Sequence, residues 1–266
     1  MEIVDLYRRL RANGVLGLNG RNADYQLVHN QRKFFPLVDD KLKSKRLAEA
    51  AGIAVPPLFG VIEYPHEVRT FDAIVQNHED FVVKPAEGSG GDGILVVVGR
   101  DGAGFRLAGG TVMSADEMRF HINNILAGTF SLGGQPDKAL IEYRIRFDPV
   151  FKGIAFQGVP DIRIIVFYGV PVMAMTRLPT QESSGKANLH QGAIGAGIDM
   201  TTGRTLNAVW HDRIITAHPD TGAPVSGVQI PHWEILLHHA ARSFDLTHLG
   251  YQGIDMVLDS ERGPVM

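Results

Sequence analysis

The chain has 266 residues, with 26 Lys and Arg against 29 Asp and Glu, a formal net charge of -3 and no cysteine. That balance gives no reason to expect nucleic acid or an acidic membrane surface as a partner, and the lack of cysteine removes disulfides, thiolate zinc sites and cysteine nucleophiles together. A chain of this length buries a sizeable core as one domain or two lobes, and no apolar run approaches the ~20 residues of a membrane span.

The start, Met1-Glu2-Ile3-Val4-Asp5, lacks the basic region and apolar stretch of a signal peptide, so a cytoplasmic location is expected. Ile3, Val4, Tyr7 and Leu10 share one helical face, and Gly14 ends that helix. Residues 17–39 show no firm period. With turns at Asn19-Gly20 and Asn22 and an apolar exit through Phe34-Phe35-Pro36, they read as a loop or docking segment. A second helix opens at Asp39-Asp40-Lys41, with acids in its first turn, Leu42, Leu47 and Ala50 inward and Gly52 as its stop. Pro56-Pro57 leads into a strand over 58–62, and 65–76 reads as a helix with proline in its first turn and Val68, Phe71 and Ile74 inward.

Residues 80–100 carry the clearest chemistry. An apolar run ending in Lys84-Pro85 enters a loop holding Gly88, Gly90, Gly91 and Gly93, and a second apolar run, 94–98, leaves it. Glycines at that density let backbone N–H groups approach an anion, while Ser89 adds a hydroxyl and Lys84 a charge. The stretch is a phosphate cradle between two strands. Gly88-x-Gly90-x-x-Gly93 matches the dinucleotide fingerprint in letters, but that motif needs a helix after the loop, and the aliphatic 94–98 run is a strand. A protein-kinase loop is excluded as well, because its lysine follows the glycines and neither H-R-D nor D-F-G occurs.

Asp101-Gly102-Ala103-Gly104 is another hairpin turn, leading to a short strand at 105–107. Ser114-x-x-Glu117 is a capping box for a helix with Met118, Ile122 and Ile125 inward. Longer strands follow at 139–145, 161–167 and 172–178, the last two joined by a turn at Gly169-Val170-Pro171, and 180–197 is a polar, glycine-bearing loop long enough to be functional. An amphipathic helix over 231–249, with Trp233, Leu236, Leu237, Ala240 and Phe244, precedes a strand at 251–258 and the start of another at 264–266. Asp161 and Arg163 alternate onto one face of their strand, opposite Ile162, Ile164 and Val166, and Arg177 ends the neighbouring strand. Asp255, between Ile254 and Met256, is expected to be buried and therefore to need a cation or hydrogen bonds.

A lysine ahead of the glycines, an earlier Asp40-Lys41 and a later Ile141-Glu142-Tyr143 resemble the ATP-grasp superfamily. Asp161-Ile162-Arg163, the run from Lys186 through Asn188, His190 and Gly192, and Gly253-Ile254-Asp255 are similar to segments of the ribosomal-protein glutamate ligases. The chain thus resembles the alpha-L-glutamate ligase-like branch, also described as sugar-transfer-associated ATP-grasp. The resemblance implies an α+β fold, the ATP-grasp fold, in which two α/β lobes clamp ATP and the N-terminal pre-grasp domain is reduced. It implies a short helix and docking segment over 1–38, a first lobe over 39–138 and a second over 139–266, cut short where a Glu-x-Asn metal pair is expected just after Met266.

It further implies nucleotide contacts from Lys41, Lys84, Glu87, Gly88, Ser89, Gly90, Gly91, Gly93, Glu142, Tyr143 and Asp161, a magnesium ligand in Asp255, and catalytic roles for Arg163, Lys186, Asn188 and His190. The implied activity joins a small-molecule or peptide carboxylate, glutamate among the candidates, to an amine through an acyl phosphate. ATP and Mg2+ serve it, with Mn2+ as a substitute, and self-association is allowed. An ATP-binding regulatory partner without ligase activity, and a phosphotransferase, use the same residues and stand as alternatives.

Overall fold

The computed structural model describes residues 3–88 and 90–266, so the expected phosphate-loop hydroxyl of Ser89 lies outside the described residues. Two antiparallel sheets organise the chain. The first contains β1 (Leu58–Ile62), β2 (Phe81–Pro85), β3 (Leu95–Asp101), β4 (Gly104–Leu107), β5 (Val112–Met113) and β6 (Ala139–Glu142), in the order β1-β6-β2-β3-β4-β5. Alternation along β2 buries Phe81 and Val83 against the helix Ala115–Leu126 and the short helix Phe71–Val75. Phe71, Phe81 and Phe105 meet edge to face with centroids 5.6 to 6.0 Å apart. Burying each ring contributes roughly 2–3 kcal/mol.

The helix Lys41–Ala50 covers the opposite face of this sheet, where Leu42 packs on Ala86 and Leu140. Its inward stripe differs from the expected one: Leu42, Lys45 and Ala48 are buried, while Leu47 is half-buried and Ala50 exposed. Asp40 starts it by accepting the Leu42 and Lys43 amides at 2.9 and 3.2 Å. Strand β6 is also placed differently. It stops at Glu142 rather than running to 145, and because Ala139, Leu140 and Ile141 are fully buried between β1 and β2, residues 139–142 pack with the first lobe rather than opening the second.

The second sheet contains β7 (Asp161–Phe167), β8 (Val170–Leu178), β9 (Ile194–Ile198), β10 (Thr205–Trp210), β11 (Arg213–Ile215), β12 (Tyr251–Asp259) and β13 (Gly263–Val265), in the order β11-β10-β9-β8-β7-β12-β13. The helix Trp233–Thr247 covers one face, packing Trp233, Leu236 and Ala240 on Ile162, Ile164, Val166 and Met256. The even residues of β7 are thereby buried, and Asp161 and Arg163 project to the other face.

Residues 18–29, expected as loop, are helical, including a π-type turn at Arg21–Gln26. They dock on the second sheet: Tyr25 packs on Phe167 and Tyr251, and the Asn30 side chain exchanges hydrogen bonds of 2.6 and 2.9 Å with the Tyr251 backbone. The expected helix over 65–76 splits into a 3-10 turn, Pro65–Thr70, and Phe71–Val75. Among the described residues no helix is long and apolar enough to cross a membrane.

Candidate functional site

Lys84 and Glu142 lie on adjacent strands and on the sheet face covered by the helix Lys41–Ala50, so that helix drops its own lysines onto them. Lys84 Nζ contacts Glu142 Oε1, and Lys45 Nζ lies 2.8 Å from Oε2. Lys41, one turn before Lys45, donates to the carbonyls of Ala86 (3.2 Å) and Gly88 at the mouth of the glycine loop. Burial lowers the Lys41 pKa, and the nearby Lys84 charge lowers it further, against the pull of Asp137, Asp40 and Glu87. Burial likewise lowers Lys45, against the pull of Glu142. Two ammonium groups thus share the Glu142 carboxylate, and a third sits beside them at the loop mouth. Glu87 is exposed, and its amide is held by both oxygens of Asp137 at 3.0 Å.

The loop turns through Gly90, Gly91 and Gly93 at φ +65°, +82° and +75°, a backbone that side-chain-bearing residues rarely adopt. Its tip crosses to the second sheet. A Cβ on Gly91 would lie 3.6 Å from Lys186 Cδ, one on Gly90 4.0 Å from Asn188 Nδ2, and Lys186 Nζ is 3.4 Å from Asp92. The receiving loop is firmly built. Thr180 Oγ1 and Trp210 Nε1 both donate to the Gly192 carbonyl at 2.8 and 2.9 Å, and Asn188 caps the short turn Leu189–Gln191 by accepting the His190 amide at 3.0 Å. His190 is exposed and contributes this amide.

On the open face of the second sheet, Asp161 sits opposite Arg177 and Arg163 opposite Asp255. Arg163 holds Asp255 through two bonds of 2.7 Å, Arg177 grips Asp161 with Nε (2.7 Å) and Nη2, and Arg177 Nη2 also lies 3.0 Å from Asp255. Asp255 is therefore not the buried carboxylate expected. Its side chain is 45% exposed, and both oxygens are occupied by guanidinium groups. Hard divalent cations take several oxygen ligands. Among the described residues no group of three or more His, Cys, Asp or Glu could hold a metal ion, and Asp255, the expected magnesium ligand, is engaged by the two arginines.

Tyr143 points away from Glu142. Its ring lies under the Arg262 guanidinium at 4.7 Å, and its hydroxyl donates to Glu261 at 3.4 Å. The sequence reading missed Lys45, whose spacing of four from Lys41 puts both on one helical face.

Burial raises the Asp161 carboxyl from 3.8 to about 6, against the opposing pull of Arg177. Between those two values the folded protein therefore holds a proton on Asp161 that the unfolded chain has released. The linked stability is complete below the ordinary value and is lost as pH rises through about 6. Asp161→Asn removes this slope. The wild-type minus variant unfolding free energy, from urea denaturation, is expected to fall by on the order of 2–3 kcal/mol between about pH 4 and about pH 7. A difference independent of pH would show Asp161 ionised throughout.

An α+β chain whose two antiparallel sheets are bridged by a glycine loop has the architecture of the ATP-grasp class. The chain belongs to the sugar-transfer associated ATP-grasp family, which it matches over residues 20–266. Among solved structures it is similar to D-alanyl-alanine synthetase A from Vibrio cholerae, with 13% identity, 94% of this chain and 63% of that one covered, and a TM-score of 0.53. It is also similar to D-alanine–D-alanine ligase from Bacillus anthracis, at 15% identity, 89% and 57% coverage and a TM-score of 0.46. A RiPP-associated ATP-grasp ligase from Chryseobacterium gregarium, solved with ADP and a leader and core peptide, matches at 14% identity, 100% and 61% coverage and 0.46. The chain spans less than two thirds of each of these three structures. No curated protein sequence matches it.

Proposed function

We propose that the protein is an ATP-dependent carboxylate–amine ligase working in the cytoplasm. The observation that carries this reading is the cluster of Lys41 and Lys84 at the mouth of a positive-φ glycine loop, where the Lys84 charge helps to lower the Lys41 pKa. Cations held together at the expense of one another's charge favour a polyanion, and loop amides supply the geometry for phosphate. Lys41 and Lys84 would hold the α- and β-phosphates, with Gly88, Gly90, Gly91 and Gly93 closing over the γ-phosphate. Glu142, Tyr143 and Asp161 would border the nucleoside.

The substrate carboxylate oxygen then attacks the γ-phosphorus, the bond to the β-bridging oxygen breaks, and ADP leaves. The amine attacks the acyl carbon, inorganic phosphate departs, and the amine loses its proton. Lys186, facing the loop tip, and Arg163 would offset charge on the transferring group, with Asn188 and His190 shaping the loop beside it. Arg163 would first release Asp255 to reach that group. Glutamate as the carboxylate rests on sequence resemblance alone.

The test is incubation of the protein with Mg-ATP and a panel of amino acids, peptides and amines, recording ADP and product mass. ADP together with a condensed amide is expected, and Lys84→Met is expected to abolish both. ATP binding without turnover across the panel would instead favour a nucleotide-binding partner.

A further inference from the structure

We infer that Lys45 is a positioning residue for the nucleotide site: it stays on Glu142 as the counter-charge that lets Lys84 leave that carboxylate for a phosphate. The inference rests on the nucleotide-binding reading above and adds a residue and a rearrangement to it.

In the structure the Lys84 ammonium is already in use, on Glu142 Oε1. Lysine has three N–H donors, but the Lys84 charge is here offset by Glu142, and serving a phosphate at the loop draws it from that carboxylate. Its departure from a residue that is 4% exposed would strand a carboxylate in a place where water cannot solvate it. Glu142 has a second cation in Lys45, 2.8 Å from Oε2.

The two lysines are not equivalent. The Lys84 side chain is 19% exposed and borders the glycine loop, whereas that of Lys45 is 6% exposed and is tied to the Pro56 carbonyl. Lys84 therefore has a path toward the cleft, and Lys45 is anchored on the far side. At 2.8 Å from Oε2, Lys45 keeps its charge on the carboxylate whichever way Lys84 turns. Lys41, on the same helical face, is turned onto the Ala86 and Gly88 carbonyls and leaves Glu142 to the other two. One anchored and one mobile ammonium on a single buried carboxylate is the arrangement a lysine exchange requires.

The test is equilibrium binding of ATP with magnesium by calorimetry to four proteins: wild type, Lys45→Met, Glu142→Gln and the double variant, each at a temperature where its melt shows it folded. Lys45→Met should weaken ATP by about tenfold or more, because Glu142 then competes with phosphate for Lys84. Adding Glu142→Gln should restore binding to that of Glu142→Gln alone, since Lys45 acts only through the carboxylate. If Lys45→Met does not fold, the comparison of Glu142→Gln with the double variant still decides. Equal affinities support positioning, and a weaker double variant means that Lys45 touches the nucleotide or the fold directly and overturns it. Wild-type affinity in Lys45→Met, or a loss that Glu142→Gln fails to rescue, overturns it too. Absence of ATP binding to the wild type sinks the nucleotide reading itself, and this inference with it.

Discussion

Replacing Glu142 with leucine is expected to lower the unfolding free energy by about 3–5 kcal/mol, among the largest effects of any single substitution in the first lobe. Leucine matches the surroundings sterically and would suit a strand flanked by Leu140 and Ile141, both fully buried. The loss comes from what it leaves behind. Lys45 and Lys84 both contact Glu142, with side chains only 6% and 19% exposed, and the substitution removes the carboxylate that neutralises both ammonium groups.

Burial already lowers the pKa of Lys45 while Glu142 pulls it up, so removing Glu142 drives it lower still. A lysine depressed in the folded state binds fewer protons there than when unfolded, so the variant's stability rises with pH through the window below the ordinary lysine value. The deficit, from urea denaturation followed by circular dichroism, should therefore be smaller at about pH 9.5 than at about pH 7. Glu142→Gln should lose less, because its amide oxygen still accepts a hydrogen bond. A loss below about 1 kcal/mol for Glu142→Leu would mean that the lysines escape to water without difficulty.

Much of this arrangement was legible in the sequence because strand period and turn chemistry are local. β7 occupies Asp161–Phe167 as its alternation indicates, and Ser114 and Glu117 exchange the hydrogen bonds of the capping box. Recognising a strand after the glycines was what separated a phosphate loop between strands from a dinucleotide turn, and β3 begins at Leu95.

The misreadings share a different cause, which is that they depend on what packs from afar. Lys45 carries a charge and reads as solvent-facing until Glu142, nearly a hundred positions later, arrives beside it. Asp255 lies between apolar neighbours and reads as buried, but its side chain is exposed on the sheet face away from the long helix, and two arginines from β7 and β8 meet it there. β10 and β11 were invisible for a third reason. The pairing of β10 with β9 shifts register between Thr205 and Ala208, and this irregularity breaks the alternation on which the reading of a strand depends.

The second large effect is expected at Gly158, which a sequence reading passes over as one glycine among thirty. Its backbone abuts Gly185 so closely that an added Cβ would fall on the Gly185 carbonyl, and it would also lie 3.0 Å from Pro179 Cγ. A side chain in the way can rotate, but a carbonyl fixed in a hydrogen-bonded loop cannot. Phe156 N donates to Pro179 O at 3.0 Å and Gly185 N to Thr180 O at 3.1 Å, so both sides of the contact are tied down. Gly158→Ala must therefore displace residues 179–193 as a unit, and with them Lys186 and Asn188 at the tip of the glycine loop.

The expected stability loss is about 2–3 kcal/mol, as for severe overpacking. ATP-dependent turnover should fall more steeply than nucleotide affinity, since Lys41 and Lys84 stay in place. Gly17→Ala is the control. Gly17 has φ -71° and open space where a Cβ would go, so its unfolding free energy should stay within about 0.5 kcal/mol of wild type. Limited proteolysis supplies the structural readout, with new cleavage inside 179–193 expected in Gly158→Ala and absent from the control. If the two alanine variants prove equally stable and equally resistant, the 158–185 contact is soft, and the loop that faces the phosphate cradle is not held from behind.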